Sequence, residues 1–196
     1  PPSDCPSCGQ PLTEQGNSRE LYCTNVACPA QTVRRLIHWA SRAAADIEAV
    51  GPVWIERLNE HKLLERVSDF YALTREQLLE FEGIADISAD RMIESIDRSR
   101  GVGLRRALIG LAIPMASEGT AKRLCLAGYE RIEDVATAPV EDLVAIRDIG
   151  PKAAASLVAF FARADVGEEI ARLRRHGVNL DVLDEEGHRV RDHQEV

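Results

Sequence analysis

The sequence predicts a mainly α-helical chain that follows a small four-cysteine module, and three observations support this fold class. Four of the five cysteines lie within the first 28 of the 196 residues. From Thr32 onward, apolar residues recur at helical spacing, and the short interruptions mostly contain glycine. Aromatic residues make up 5% of the chain, which disfavours a sheet-rich barrel. The length allows one or two domains with a sizeable core.

The composition of the chain excludes several classes of protein. Apolar residues make up 45% and charged residues 29%, which is typical of a globular protein rather than a disordered one. No apolar run approaches the roughly 18 residues that a membrane span needs, and the first four residues do not resemble a signal peptide. We therefore expect a cytoplasmic protein.

Acidic and basic residues are unevenly distributed along the chain. The net charge of −8 argues against nonspecific binding of nucleic acid over the whole surface. Residues 41–100 carry thirteen acidic and eight basic residues, whereas residues 101–167 carry eight of each. A surface that contacts a phosphate backbone is therefore expected to lie largely in the second of these segments.

Two short-spaced cysteine pairs begin the chain. Cys5 and Cys8 form the first pair, Cys23 and Cys28 form the second, and fourteen residues separate the pairs. This spacing provides the four thiolates of a tetrahedral metal site, and Gly9 supplies the backbone freedom that the first turn needs. The alternative is two disulfides in a small secreted domain. The lack of a secretory signal and the cysteine-poor remainder favour zinc.

The predicted site holds one structural zinc ion. Four thiolates fill the coordination shell and leave no position for water or substrate. A module of about 30 residues cannot form its own core, so metal binding must supply most of its folding energy, on the order of 10–16 kcal/mol. The fifth cysteine, Cys125, lies in an apolar helical stretch, and we interpret it as a core residue.

The helical part contains four similar interruptions. If Val50, Ile84, Ile113 and Ile149 are taken as their centres, the steps between them are 34, 29 and 36 residues. A recurring step of this size indicates a repeated supersecondary unit. Each predicted unit consists of an apolar helix, a tight hairpin with one buried aliphatic residue, and a second helix.

This pattern is that of the helix-hairpin-helix motif. Its hairpin presents free backbone N–H groups at a helix N-terminus, where the helix dipole also favours an anion, so it can bind a DNA phosphate without reading bases. Glycines such as Gly51, Gly83 and Gly150 allow close approach to the backbone. The alternative is helix pairs joined by glycine C-caps. Four hairpins behind a four-cysteine module favour a small zinc finger followed by an all-helical domain of four helix-hairpin-helix repeats.

The sequence resembles the C-terminal half of bacterial NAD-dependent DNA ligases over roughly residues 1–180. The motifs that carry the likeness are Cys5-Pro-Ser-Cys8-Gly9, the run from Cys23 to Gln31, His38-Trp39-Ala40-Ser41-Arg42, Asp46-Ile47-Glu48 and Phe160-Phe161. The resemblance implies a zinc finger and a four-hairpin domain that grip nicked duplex DNA across the minor groove, in an enzyme of replication and repair.

The resemblance also implies that this chain is not catalytic by itself. The family forms an adenylated lysine in a Lys-x-Asp-Gly motif of another domain, and none of Lys62, Lys122 and Lys152 stands in such a motif. No nicotinamide-binding segment or oligonucleotide-binding barrel is recognisable. We expect a monomeric part of a ligase that acts together with the adenylation and oligonucleotide-binding domains, while NAD is bound by the parent enzyme outside this segment.

The hairpins depart from the glycine pattern of the family. The residues that stand where the family usually has glycine are Ala49, Ala85, Ala112, Ser117 and Asp148. A residue with a Cβ at positive φ costs on the order of 1 kcal/mol, and the Cβ can hinder a phosphate. Asp148 adds a negative charge that Arg147 and Lys152 can offset.

Charge and position predict the residues that contact DNA. They are basic residues around hairpins three and four and in the Ala-Ser-Arg motif, together with the hairpin glycines: Arg42, Gly51, Gly83, Arg105, Arg106, Lys122, Arg123, Gly150 and Lys152. Any single arginine of this set can instead be a solvated surface residue. We interpret His38, Trp39 and Trp54 as packing residues, not as a metal ligand or as base-stacking platforms.

The predicted boundaries divide the chain into three parts. A four-cysteine zinc finger occupies residues 1–31, a helix-hairpin-helix domain residues 32–183, and a charged linker toward a further C-terminal domain residues 184–196. The last helix of the middle part is predicted over Glu168–His176, with Gly177 as its cap.

Two other functions are compatible with parts of this pattern. A protein-interaction scaffold whose degenerate hairpins have lost DNA binding is supported by the net charge of −8 and by the missing glycines. It predicts no affinity for DNA even at low salt. The DNA-binding tail of a repair nuclease also uses paired hairpins, but the four-cysteine module and the lack of a catalytic carboxylate cluster count against it.

Overall fold

The computed structural model describes residues 2–14, 19–23, 25 and 28–183, and it confirms the mainly α-helical fold class. A two-stranded sheet lies within the four-cysteine module, and helices follow it. The predicted linker at residues 184–196 lies outside the described residues. None of the described helices is long and apolar enough to cross a lipid bilayer.

The four-cysteine module is built on a short β-hairpin. Strand β1 (Leu12–Glu14) pairs antiparallel with β2 (Leu21–Cys23). The first cysteine pair precedes β1 in a turn in which the N–H of Gly9 donates to the carbonyl of Cys5 over 2.8 Å. Gly9 has a φ of 70°, as expected for the tight turn that the sequence predicts here.

The helical part consists of paired helices and short connections. The α-helices are α1 (Pro29–Ala40), α2 (Pro52–Glu60), α3 (Arg75–Leu79), α4 (Asp86–Ser99), α5 (Leu104–Gly110), α6 (Glu118–Leu126), α7 (Ile132–Ala136), α8 (Val140–Val144), α9 (Pro151–Phe161) and α10 (Ala164–Arg175). The packed pairs are α1–α2, α3–α4, α5–α6 and α8–α9. A 3₁₀ helix at Val67–Ala72 connects the first two pairs, and α7 connects the last two.

Each helix pair encloses a hairpin that one hydrogen bond defines. The N–H of the central residue donates to the carbonyl three residues earlier, and the next residue is the N-cap of the second helix. The central residues defined in this way are Val50, Ile84, Ala116 and Ile149. We number the hairpins 1 to 4 in chain order.

The prediction of Ile113 as the centre of hairpin 3 is wrong by three residues. Ile113 is buried, but it supplies the carbonyl that accepts the N–H of Ala116, as Ile146 does for Ile149. The sequence pattern favours Ile113 because it is the larger aliphatic residue, whereas Ala116 is small and only half-buried. The corrected steps between centres are 34, 32 and 33 residues, more regular than predicted.

The four pairs form two related halves, in which equivalent residues lie 65 or 66 positions apart. The N–H of Arg66 donates to the Asp69 carboxylate over 3.0 Å at the start of the 3₁₀ helix. The N–H of Arg131 donates in the same way to Asp134 over 2.9 Å at the start of α7. The chain therefore uses one unit of two hairpins twice.

Trp39 lies at the centre of the core that joins the two halves. Its side chain is fully buried, and its indole N–H donates to the Tyr71 hydroxyl over 3.1 Å. That hydroxyl lies 2.9 Å from the hydroxyl of Ser99. Trp39 also packs on Gly110, where a Cβ would lie 2.7 Å from the indole ring. These contacts agree with the predicted packing role of Trp39.

The last helix is longer than predicted. α10 begins at Ala164, four residues before the predicted start at Glu168. The sequence pattern misses the first turn because Gly167 weakens its helical signal. The helix is followed by Gly177 at a φ of 74°, which agrees with the predicted cap.

Candidate metal centre and hairpin surface

The four cysteines of the module converge on one point. Their Sγ atoms all lie within 4.8 Å of one another, with 3.5 Å between Cys8 and Cys23 and 3.9 Å between Cys5 and Cys28. A tetrahedral site with metal–sulfur bonds of about 2.3 Å needs sulfur–sulfur separations of about 3.8 Å. The donor set therefore fits a single tetrahedral metal ion. The two measured separations are far longer than the roughly 2.05 Å of a disulfide.

The electrostatics of the cluster favour a bound cation. The backbone N–H of Gln31, at the N-terminus of α1, stabilises the Cys28 thiolate and lowers the pKa of Cys28 to about 6. The N–H of Asn25 favours the Cys23 thiolate, yet burial and the neighbouring sulfurs raise the pKa of Cys23 to about 12. A metal ion bound between the four sulfurs would favour the thiolate form of all of them.

The cysteine cluster is continuous with the helical part. Cys28 is the N-cap of α1, which begins at Pro29, within the range predicted for the finger. The Gln31 side chain donates to the carbonyl of Cys23, and the N–H of Ala30 donates to the Ser7 hydroxyl over 3.3 Å. The first turn of α1 is thus hydrogen-bonded to the module that contains the four cysteines.

Hairpins 1 and 4 leave the N-terminus of their second helix open. Their N-caps are Gly51 and Gly150, with φ of −76° and −75°, and neither α2 nor α9 has an acidic residue in its first turn. Within the described part of the chain, nothing lies within 4 Å of the place a Cβ would occupy. The first-turn N–H groups have no hydrogen-bond partner there either. An anion can therefore reach them.

Hairpins 2 and 3 are less suited to an anion. α4 begins with Asp86 and α6 begins with Glu118, so a carboxylate stands at each helix N-terminus. In hairpin 3, Ser117 and Thr120 form a reciprocal cap in which each backbone N–H donates to the other hydroxyl over 3.3 Å. This cap uses N–H groups of the kind that hairpins 1 and 4 leave open.

The glycine replacements fall into two kinds. Ala112 and Asp148 have φ of 52° and 64°, so they carry the expected strain. Ala85 and Ser117 are N-caps with φ of −99° and −84°, and Ala49 is also outside the positive region, so these three replacements cause no backbone strain.

The residue before the hairpin centre has a positive φ in hairpins 2, 3 and 4. Gly83, Met115 and Asp148 occupy this position, with φ of 94°, 62° and 64°. The sequence pattern misses Met115 because it places the centre of hairpin 3 three residues too early. Met115 is largely exposed, so its side chain packs little against the core. Its positive φ adds backbone strain to the hairpin.

The predicted basic contacts have different surroundings. Arg106 donates from Nε to the carbonyl of Ala44 over 2.7 Å and from a terminal nitrogen to the carbonyl of Arg42. It therefore ties α5 to the turn after α1, which leaves fewer of its N–H groups for a ligand. Four further predicted contacts form no ion pair with another described residue, and their side chains are exposed: Arg42, Arg105, Lys122 and Lys152.

Arg123 connects hairpin 3 to hairpin 4. Its terminal nitrogen lies 2.8 Å from Oδ2 of Asp148, and Nε of Arg147 lies 3.8 Å from the same oxygen. The charge of Asp148 is thus offset mainly by Arg123. In the first half, the equivalent residue is Arg57, which donates to the carbonyl of Glu82 over 3.4 Å.

Arg75 is a candidate functional residue of the hairpin surface that the sequence pattern does not reveal. Its terminal nitrogen lies 2.5 Å from Oδ1 of Asp86, and its Nε lies 2.6 Å from Oδ1 of Asp90. The arginine is on α3 and both carboxylates are on α4, so only the packing of the two helices brings them together.

Three other residues agree with their predicted packing roles to different degrees. His38 contacts the carbonyl of Ile109 through Nε2 over 2.7 Å and lies away from the cysteine cluster. Trp54 is half-buried and meets Phe81 edge-on, with 6.4 Å between ring centroids. Cys125 is half-buried against the core rather than fully buried, and burial raises the pKa of its thiol.

Comparison with known families identifies the helical repeats. A model described as a SAM-like helix-hairpin-helix tandem matches residues 41–98. A model described as a helix-hairpin-helix motif matches residues 106–170. The first range contains hairpins 1 and 2, and the second contains hairpins 3 and 4, so the matches agree with the two halves of the structure.

Comparison with curated proteins identifies relatives of nearly the whole chain. DNA ligase 1 of Nocardia farcinica is 69% identical over 95% of this chain and 28% of its own length. DNA ligases of Porphyromonas gingivalis and Natranaerobius thermophilus are 40% and 35% identical over 90% and 91% of this chain. The chain spans 26–28% of the length of these relatives. These relatives, the helix-hairpin-helix matches and the four-cysteine cluster together fit a C-terminal fragment of a DNA ligase.

Proposed function

We propose that the chain is the DNA-binding part of an NAD-dependent DNA ligase, which seals nicks in duplex DNA during replication and repair in the bacterial cytoplasm. The names of the relatives and the helix-hairpin-helix matches over both halves support this proposal. The adenylation chemistry and the use of NAD belong to the remainder of the whole protein. This part binds nicked duplex DNA as a monomer, through the phosphate backbone and the minor groove.

We further propose that Cys5, Cys8, Cys23 and Cys28 bind one zinc ion. A closed tetrahedral set of four thiolates is the donor set of structural zinc sites. The ion has a structural role here, because four protein ligands leave no position for substrate. Bound at the N-cap of α1, it fixes the module and the first turn of that helix.

The observation that carries the DNA-binding proposal is the open start of α9 in hairpin 4. Its free N–H groups, the helix dipole and the absence of a first-turn carboxylate all favour a phosphate at this point. Arg147 and Lys152 flank the N-cap and are exposed, so they add positive charge beside it. Hairpins 1 and 4 share the Gly-Pro start, and each has an exposed carboxylate in its loop, Glu48 and Asp148. Asp148 is paired with Arg123 at 2.8 Å, so we expect hairpin 4 to bind a phosphate more tightly than hairpin 1.

Gly150→Ala tests this role of hairpin 4. Because Gly150 has a negative φ and open space at its Cβ position, we expect a loss of folding stability below about 1 kcal/mol. A Cβ at this position hinders the close approach of a phosphate to the backbone, so we expect the affinity for duplex DNA to fall about tenfold, or by about 1.4 kcal/mol. Fluorescence anisotropy measures the affinity, and thermal unfolding measures the stability.

Gly167→Ala is the matched control for this variant. Gly167 lies on α10 away from the hairpins, and its Cβ position is also open. We expect its affinity for DNA to equal that of the unmodified chain. Equal affinities of Gly150→Ala and Gly167→Ala would contradict a phosphate contact at hairpin 4.

A further inference from the structure

The carboxylates beside hairpins 2 and 4 conflict with the proposed DNA-binding function. Asp86 and Asp90 lie in the first two turns of α4, and Asp148 lies in the loop of hairpin 4. All three side chains are more than half exposed. A phosphate that approached either hairpin would be repelled by them unless their charges were compensated nearby.

Each of these carboxylates is paired with an arginine from a neighbouring helix. Arg75 on α3 bonds to both Asp86 and Asp90, at 2.5 and 2.6 Å. Arg123 on α6 bonds to Asp148 at 2.8 Å. Arg75 and Arg123 do not stand at equivalent positions of the repeat, so the two halves compensate their hairpin carboxylates by different pairs.

These pairs contribute little to folding because they are exposed. The arginine side chains are 39% and 40% accessible, and water and salt screen such contacts. The effect on an approaching anion is different, because an unpaired carboxylate next to a helix N-terminus cancels the attraction of the dipole. The consequence of the pairing is therefore expected in DNA binding rather than in stability.

We propose that Arg75 and Arg123 are positioning residues of the DNA-binding surface, which offset the charge of the carboxylates beside hairpins 2 and 4 without contacting DNA themselves. This inference rests on the proposed function. It also changes the predicted role of Arg123 from a phosphate contact to the partner of Asp148. Hairpin 2, despite Asp86 at the start of α4, then remains accessible to a phosphate.

A mutant cycle tests the inference for Arg75. Arg75→Gln leaves two carboxylates uncompensated, so we expect the affinity for duplex DNA at low salt to fall by about three- to tenfold. The variant that changes Asp86 and Asp90 to Asn is expected to bind at least as tightly as the unmodified chain. Adding Arg75→Gln to that variant is expected to cause no further loss, because there is no longer a charge to neutralise.

The same cycle with Arg123→Gln and Asp148→Asn tests the second pair. Loss of affinity that persists when the carboxylate is already removed would overturn the inference, because it would show that the arginine itself contacts a phosphate. An unchanged affinity of both arginine variants would overturn it as well. Failure of the unmodified chain to bind DNA at all would instead contradict the proposed function, so the two failures are distinguishable.

Arg98→Gln is the matched control for the cycle. Arg98 is exposed on the last turn of α4, about 18 Å along the helix from Asp86, given a rise of about 1.5 Å per residue. The Arg98→Gln substitution removes the same charge from the chain but does not take an ion-pair partner from a hairpin carboxylate. We expect less than a twofold change in affinity, and thermal unfolding of every variant verifies that the fold is retained.

Discussion

Cys28→Ser is expected to abolish metal binding and to unfold the cysteine module together with the first turn of α1. Cys28 is fully buried, is one of the four converging sulfurs and is the N-cap of α1. Metal binding supplies on the order of 10–16 kcal/mol in zinc modules of this size, so its loss removes most of the folding energy of the module. Metal content by mass spectrometry and helicity by circular dichroism measure the two effects.

Cys125→Ser is the matched control for the metal prediction. Cys125 is half-buried on α6 and stands apart from the cluster, so its variant should retain one metal ion per chain. A strong chelator added to the unmodified chain should reproduce the effect of Cys28→Ser. Full helicity and an unchanged melting temperature after metal removal would contradict the coupling of the cluster to α1.

Trp39→Ala is expected to lower the free energy of unfolding by about 3–5 kcal/mol. The substitution removes the largest fully buried side chain of the core and leaves a cavity where α1, α5 and the 3₁₀ helix meet. It also removes the indole N–H that donates to the Tyr71 hydroxyl. Urea unfolding followed by circular dichroism measures the change.

Two further substitutions provide comparisons for the loss of unfolding free energy in Trp39→Ala. Trp39→Phe keeps most of the packing but loses the hydrogen bond to Tyr71, so we expect a smaller loss of about 1–2 kcal/mol. Leu126→Ala removes an apolar side chain that is 76% exposed, and we expect a change within about 0.5 kcal/mol. Equal effects of Trp39→Ala and Leu126→Ala would contradict the central position of Trp39.

The parts of the fold with a local signal in the sequence could be predicted from it. The cysteine spacing indicates the metal cluster because each pair must form one tight turn. Val50, Ile84 and Ile149 mark three hairpins correctly, because each is a buried aliphatic residue directly before the N-cap of a helix. The position of hairpin 3 was mispredicted because Ala116 carries too little apolar surface to be recognised as a centre.

The electrostatics of the hairpin surface could not be predicted in this way. Arg75 lies 11 and 15 residues from its two partners, and Arg123 lies 25 residues from Asp148, so no motif connects them. Helix packing alone determines these distances. For the same reason, the reciprocal cap of Ser117 and Thr120 appears in the sequence only as two hydroxyl residues, although it distinguishes hairpin 3 from the open hairpins.

The most direct test of DNA binding is the salt dependence of affinity. Fluorescence anisotropy would follow the titration of a nicked duplex with metal-loaded chain at about 50 and 200 mM salt, with an intact duplex in parallel. Each phosphate contact contributes a slope of about −0.9 to the logarithm of affinity against that of salt concentration, so contacts at hairpins 1 and 4 predict a slope of about −1.8 or steeper. Absence of binding by the folded, metal-loaded chain at the lower salt concentration would contradict the proposal that this segment holds DNA by itself, and would instead support an interaction scaffold.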